Sequence, residues 1–283
     1  MSKFIISAFS DEISPDINEQ MYYLKKFGIS HFEIRGVNDK NVADLSFDEA
    51  AAVKELADKN GISVSSVGSP IGKININDPF EEHLEKLAHV IKLAKILGTD
   101  FIRIFSFYIP EGEDAAVYRD EVMRRMKAMC ALAEKENVIL LHENEKGIYG
   151  DIAPRCKDIL DTVNSPNMRA VFDPANFVEC NQITYPDAYD MLDKYITYMH
   201  IKDADGLKKI VPSGYGKGNV KEILQKLAQR GYEGFLSIEP HLGQFEGLKG
   251  LQFDTSVVNE EKSGPATFKM AHDALVKILD EIK

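Results

Sequence analysis

Short β-rich runs alternate with amphipathic stretches along the whole chain, and this alternation limits the possible folds more than any other feature of the sequence. Strands are expected at 4–10, 31–35, 62–67, 101–105, 138–142, 169–172, 195–201 and 234–238. Helices are expected at 16–27, 47–60, 79–97, 115–137, 152–163, 185–193, 220–229 and 263–282, with Gly28, Gly61, Gly98 and Gly231 as stops. Strands separated by helices pair in parallel, which leaves a closed barrel or a doubly wound open sheet. An open sheet would usually carry a glycine-rich phosphate loop after its first strand. Here that strand runs into Ser10-Asp11-Glu12. Eight strands with eight helices in 283 residues suit a barrel of typically ~250 residues. The fold class is therefore α/β, a (β/α)8 TIM barrel, with residues 1–283 as a single domain free of linkers or low-complexity tracts. The stretch 242–261 after the last strand is either a lid over the mouth or a surface excursion.

Composition narrows the partners. Hydrophobic residues make up 44% and charged residues 28%, enough for a large core. With 45 acidic against 34 basic residues the net charge is −11, which works against nucleic acid as a partner. Cys130, Cys156 and Cys180 form no close pair, so neither a disulfide framework nor a thiolate zinc site is expected. The first apolar run is too short for a signal sequence, and no stretch nears the ~20 residues of a membrane span. A cytoplasmic protein is expected. Barrels of this kind often form homo-oligomers, and nothing in the sequence selects a state.

The strand ends carry the chemistry. Glu143 in Leu-His-Glu-Asn, Asp173 in Phe-Asp-Pro-Ala-Asn, His200 in Met-His-Ile-Lys-Asp and Glu239 in Ile-Glu-Pro-His each close one apolar run. In a parallel barrel these ends share one face around a common axis. Three carboxylates brought that close repel one another, and a divalent cation relieves the repulsion. An oxygen-rich set with one imidazole suits Mn²⁺ best, with Mg²⁺ or Co²⁺ as alternatives. Four protein ligands leave room for two neighbouring oxygens of a polyhydroxy substrate. Polarising a carbonyl there acidifies the adjacent C–H and stabilises an enediolate, with a carboxylate as base.

These motifs resemble the sugar phosphate isomerase/epimerase family of xylose isomerase-like barrels, which includes ketose 3-epimerases, hydroxypyruvate isomerase and inosose dehydratase. The resemblance covers nearly the whole chain and rests on His142-Glu143-Asn144, Asp173-Pro174-Ala175-Asn176, His200-Ile201-Lys202-Asp203 and Glu239-Pro240-His241. It implies one divalent metal on Glu143, Asp173, His200 and Glu239, and proton transfer by Glu143 and Glu239. It implies an isomerase or epimerase of a monosaccharide or sugar derivative. The alternatives are a metal-dependent dehydratase or β-eliminating lyase, and a partner-dependent metal-binding subunit. Two departures stand out. Asn176 replaces a histidine common in epimerases, and no arginine follows His200 closely. Apurinic-site endonucleases share the barrel but need further histidines, which the second and third strand ends lack.

Secondary candidates flank these positions. His142, next to an inward-facing glutamate, is expected to pack toward the helices. His241 follows a proline and has two readings, substrate contact or support of the metal. Asn176, Lys202 and Asp203 are candidates for substrate hydroxyls, charge compensation and orientation of a lysine or water. Glu33 and Arg35 either line the sugar pocket or form a mutual salt bridge, and Arg103 and Ser106 are similarly open. Gly214-Tyr215-Gly216-Lys217-Gly218 resembles a phosphate cradle without the other P-loop positions, and is read as a flexible loop before the seventh helix for a phosphate or an end of the substrate.

Overall fold

Side chains alternate between the two faces of a strand, so each β-run of this chain must satisfy two surroundings at once. The computed structural model describes residues 3–207, 209–243 and 262–282. Eight parallel strands form one sheet: β1 (Lys3–Ala8), β2 (His31–Ile34), β3 (Ser63–Val67), β4 (Phe101–Ile104), β5 (Ile139–Glu143), β6 (Met168–Phe172), β7 (Ile196–Ile201) and β8 (Glu233–Ile238). The order is β1-β8-β7-β6-β5-β4-β3-β2, with Lys3 paired to Glu233 and Ala8 to Ile238. The edge strands β1 and β2 pack against each other without a hydrogen-bonded ladder, which makes the barrel nearly closed.

Nine helices are described: α1 (Ile17–Lys26), α2 (Phe47–Lys59), α3 (Glu81–Leu97), α4 (Arg119–Glu136), α5 (Ala153–Val163), α6 (Pro174–Glu179), α7 (Tyr189–Leu192), α8 (Val220–Gln229) and α9 (Pro265–Glu281). Their inner faces follow helical spacing. In α8 the buried residues are Val220, Ile223, Leu224 and Leu227, one stripe against the sheet. Each such fully buried aliphatic side chain contributes roughly 1.5–3 kcal/mol. Ser46 and Glu49 close a capping box at the start of α2. No described helix is long and apolar enough to cross a membrane.

The expected sixth helix is displaced. Asp173 caps α6 by accepting the Asn176 N–H at 2.9 Å, and Pro174 takes the first helical position. A helix therefore begins directly after the sixth strand. The expected span 185–193 holds only a distorted turn at Thr184–Ala188 and the single turn of α7, because Pro186 interrupts the helical pattern there. Two small hairpins were not anticipated, Gly36–Val37 with Lys40–Asn41 and Asp203–Ala204 with Ile210–Val211. Of the glycine-containing stretch 242–261, only Leu242 and Gly243 lie among the described residues.

The inward files of side chains grade from apolar to ionised toward the C-terminal face. At the bottom, Leu141, Val171 and Tyr198 pack with Phe101, Ile139 and Phe235. Above them Ser65 Oγ lies 2.6 Å from Ser7 Oγ and 2.8 Å from Tyr198 Oη. The next inward positions, two residues further along their strands, are Arg103 on β4, Glu143 on β5 and His200 on β7, with Glu239 four residues beyond Phe235.

Candidate metal centre

Period-two alternation places each of these residues. Ile139, Leu141 and Glu143 lie on one face of β5, Tyr198 and His200 on one face of β7, and Phe235, Ser237 and Glu239 run along and just past β8. Asp173 follows Val171 past the end of β6. One donor atom from each of Glu143, Asp173, His200 and Glu239 lies within 4.8 Å of all the others. That spread is close to twice the about 2.1 Å at which hard divalent ions bind oxygen. All four residues are buried.

The imidazole is oriented from behind. His200 Nε2 lies 3.2 Å from Glu33 Oε2, while Nδ1 faces Glu143 Oε1 at 3.0 Å and Glu239 Oε2 at 3.5 Å. A carboxylate behind a ligating histidine fixes its tautomer and ring orientation, and here it turns Nδ1 to the cluster. Asp173 Oδ1 is engaged by the Asn176 N–H, which leaves Oδ2 directed at the cluster. Neither Asp173 Oδ2 nor Glu143 Oε2 accepts a hydrogen bond of good geometry. Buried carboxylate oxygens converging beside an imidazole, with Glu143 Oε2 left without a close donor, are what a hard dication requires, so the donor set fits such an ion.

Fixed cations hold the rest of the charge. Lys202 Nζ lies 2.9 Å from Asp173 Oδ2 and 3.1 Å from Glu239 Oε2. Arg35 reaches Glu239 Oε1 at 2.9 Å and also binds Asp11 and Glu12. Arg103 lies 3.4 Å from Glu143 Oε2 and donates to the Gly68 carbonyl at 3.1 Å. The titration of the cluster follows from this layout. Burial pushes the Asp173 carboxyl up to about 7, against the pull of Lys202. Burial would raise Glu143 too, but the charges of His200 and Arg103 outweigh it and hold the group at about 2. Burial likewise opposes ionised Glu239, and Lys202 with His241 keeps it well below the usual carboxylate range. His200 stands well above its ordinary value, because Glu143 and Glu33 overcome the cost of burying its charge.

The secondary candidates find definite places. His142 faces away from the axis, as expected, with Nε2 2.9 Å from Ser106 Oγ; burial drops it to about 4. His241 has a left-handed backbone (φ 44°) that turns Nε2 to 3.3 Å from Glu239 Oε1. Asn176 points its amide at Glu143 Oε1 (3.3 Å) and the Asn144 carbonyl (2.9 Å). The mutual salt bridge of Glu33 with Arg35 is not formed: Glu33 backs His200, and Arg35 serves Asp11, Glu12 and Glu239. Among the described residues, Asp203 forms no ion pair with a lysine and no hydrogen bond to a candidate metal ligand. Its carboxylate accepts from the backbone of Ala204, Gly214, Gly216 and Gly218, so the glycine stretch read as a phosphate cradle is filled by this chain's own side chain.

Several contributors carry no motif. Asp11 and Glu12, after β1, complete the Arg35 cluster, and burial pushes Glu12 up to about 8. Lys73, after β3, pairs with Glu145 at 2.7 Å and lies 4.3 Å from the Phe105 ring centre. The one available signal was a charged residue at the end of an apolar run, and the runs before Asp11 and Arg35 do end that way, whereas Arg103 sits inside its run.

A family model described as xylose isomerase-like TIM barrel matches residues 21–256. Among curated proteins, the chain is 25% identical over 130 residues to a 3-dehydroshikimate dehydratase of Bacillus anthracis, covering 46% of each. It is 23% identical over 164 residues to a fructoselysine 3-epimerase of Shigella flexneri, covering 56% of this chain and 58% of the relative. The chain thus spans about half the length of the curated relatives it matches. Among solved structures, the IOLI protein with a bound zinc atom superposes with a TM-score of 0.74 at 17% identity, over 100% of this chain and 99% of that one. This last likeness shows a shared fold.

Proposed function

This chain belongs to the xylose isomerase-like TIM barrel family, and from that premise we propose that it is a divalent-metal-dependent isomerase or epimerase of a monosaccharide or sugar derivative. The observation that carries the reading is the convergence of Glu143, Asp173, His200 and Glu239 from four neighbouring strand ends to within 4.8 Å. Those four residues would hold the ion, with Mn²⁺ the best match to the donor set and Mg²⁺ or Co²⁺ as alternatives. When bound, the ion supplies Lewis-acid polarisation of a substrate carbonyl.

The chain's own residues supply the rest. Glu143 and Glu239 are the two acid–base groups: one removes the proton beside the carbonyl and the other returns it to the opposite face. Their surroundings differ. Glu239 is held by Arg35, Lys202 and His241, whereas Glu143 meets Arg103 at the longer 3.4 Å and the Asn176 amide at 3.3 Å. Arg35 and Lys202 beside Glu239 stay charged, whereas the His200 ring beside Glu143 is neutral when it ligates a metal, so Glu143 is the stronger base and takes the first proton. Lys202 and Arg103 balance negative charge that develops on substrate oxygens. His241 and Asn176 hold the two glutamates in place, and Glu33 does the same for His200.

A lyase reading is favoured by the similarity to a 3-dehydroshikimate dehydratase. It uses the same first deprotonation and then expels a leaving group. Proton NMR in D₂O on ketoses, inososes and 3-keto sugars, with Mn²⁺-loaded protein and a chelator-treated control, tests both readings. Metal-dependent deuterium uptake beside the carbonyl is expected, and the product separates epimerase from dehydratase. Absence of exchange with every substrate class would overturn the acid–base assignment.

A further inference from the structure

The Asp203 carboxylate is fully buried, and its four donors among the described residues are all backbone amides: Ala204 at 2.9 Å, Gly214 at 2.9 Å, Gly216 at 3.0 Å and Gly218 at 2.8 Å. Converging backbone N–H groups of this kind form a concave anion site. A side chain at Gly216 would collide with Asp203 Oδ1 and the Ala204 carbonyl, so the cradle needs glycine there. The loop is further tied down where Lys217 N–H donates to the Ala204 carbonyl at 2.8 Å and Thr184 Oγ1 donates to Asn219 Oδ1 at 2.9 Å.

Two walls of the candidate metal centre rest on this cradle. Lys202, the residue before Asp203, spans Asp173 Oδ2 and Glu239 Oε2. Gly218 lies against Pro174, since a Cβ added to it would stand 2.9 Å from Pro174 Cβ, and Pro174 follows Asp173 directly. We propose that Asp203 is a positioning residue: by filling the glycine cradle it fixes, from one point, both Lys202 and the capped Asp173 turn, and so sets the geometry of the metal centre. The inference rests on the metal-centre reading above. Asp203 makes no hydrogen bond to the four candidate ligands, and its effect passes through the loop 212–219.

Calorimetric Mn²⁺ titration of the intact chain tests it, with thermal unfolding followed in parallel. Removing a residue that orients a metal's ligands typically weakens metal binding 10–100-fold, so Asp203→Ala should lose on the order of tenfold in Mn²⁺ affinity. Sodium formate, which supplies the missing carboxylate, should restore most of that loss, while sodium chloride should not. Gly216→Ala should show the same weakening without formate rescue, because Asp203 is still present. Should Asp203→Ala fail to fold, Asp203→Asn keeps the side-chain volume and should show the same loss. An unchanged Mn²⁺ affinity in a folded Asp203 variant, with only the melting temperature lowered, would overturn the inference and leave the metal reading intact. Failure of the wild-type chain to bind Mn²⁺ would overturn both.

Discussion

The half of the barrel from β5 to β8 and the half from β1 to β4 meet at one mouth and bring different things to it. The second half presents the candidate ligands Glu143, Asp173, His200 and Glu239 at successive strand ends. The first half presents the groups that hold them: Glu33 on His200, Arg35 on Glu239 and Arg103 on Glu143. Ligands and their supports are thus separated along the chain by as many as 204 positions, the span from Arg35 to Glu239. Lys202, His241 and Asn176 add support from the second half, but the first half supplies supports and none of the four candidate ligands, so substitutions in the two halves should fail in different ways.

The largest contrast is in proton transfer. Glu143→Gln keeps the shape of the side chain and removes the base, so deuterium exchange should fall 10²–10⁴-fold while the fold persists. An unaffected exchange rate would assign the base elsewhere. Arg35→Met should act oppositely, on stability first. Its side chain is buried against Asp11, Glu12 and Glu239, and stranding buried charges costs about 3–5 kcal/mol, readable by urea unfolding. A loss below about 1 kcal/mol would mean that the first half does not hold the second in this way.

Glu33→Gln lies between these extremes. The amide oxygen still meets His200 but carries no charge, so metal affinity should drop 10–100-fold with little change in melting temperature. Equal losses in both would erase the distinction between orienting and stabilising roles. The smallest effect belongs to the loop after β3, where the Gly72 N–H donates to His83 Nε2 at 2.7 Å. Burial, aided by Lys86 and Arg125, depresses His83 from 6.5 to about 4. The folded state therefore prefers the neutral ring, and stability that is full above the unfolded value is lost as pH falls toward the folded one. His83 should account for about 1 kcal/mol of the loss between roughly pH 6.5 and 5.5, and His83→Gln should make the profile shallower there by that amount, with His142 still contributing.

The same division governs what could be read from the chain. The ligand half was legible because each donor ends a β-run within a short motif, and alternation along the strand fixes which residue faces inward. The eight-fold repeat likewise gave the barrel. The supporting half was not legible, because Glu33 and Arg35 acquire their partners only after the chain closes and brings β7 and the end of β8 beside them. Nothing near Arg35 in sequence says that it will bind Asp11, Glu12 and Glu239 rather than Glu33. The sixth helix was missed for a local reason that the sequence does contain, the Asp173-Pro174 start signal. The Gly214–Gly218 stretch, read as a flexible loop for a phosphate or an end of the substrate, instead holds Asp203, which needed the neighbouring hairpin to be seen.

Crystals grown with Mn²⁺ and measured at a wavelength where manganese scatters anomalously test the assignment most directly. One anomalous peak within bonding distance of Glu143, Asp173, His200 and Glu239, with Glu33 behind the imidazole, is the expected result. A peak elsewhere, such as between Glu12 and His241, or none in protein that takes up no Mn²⁺ from solution, would contradict a metal centre built on the β5–β8 half.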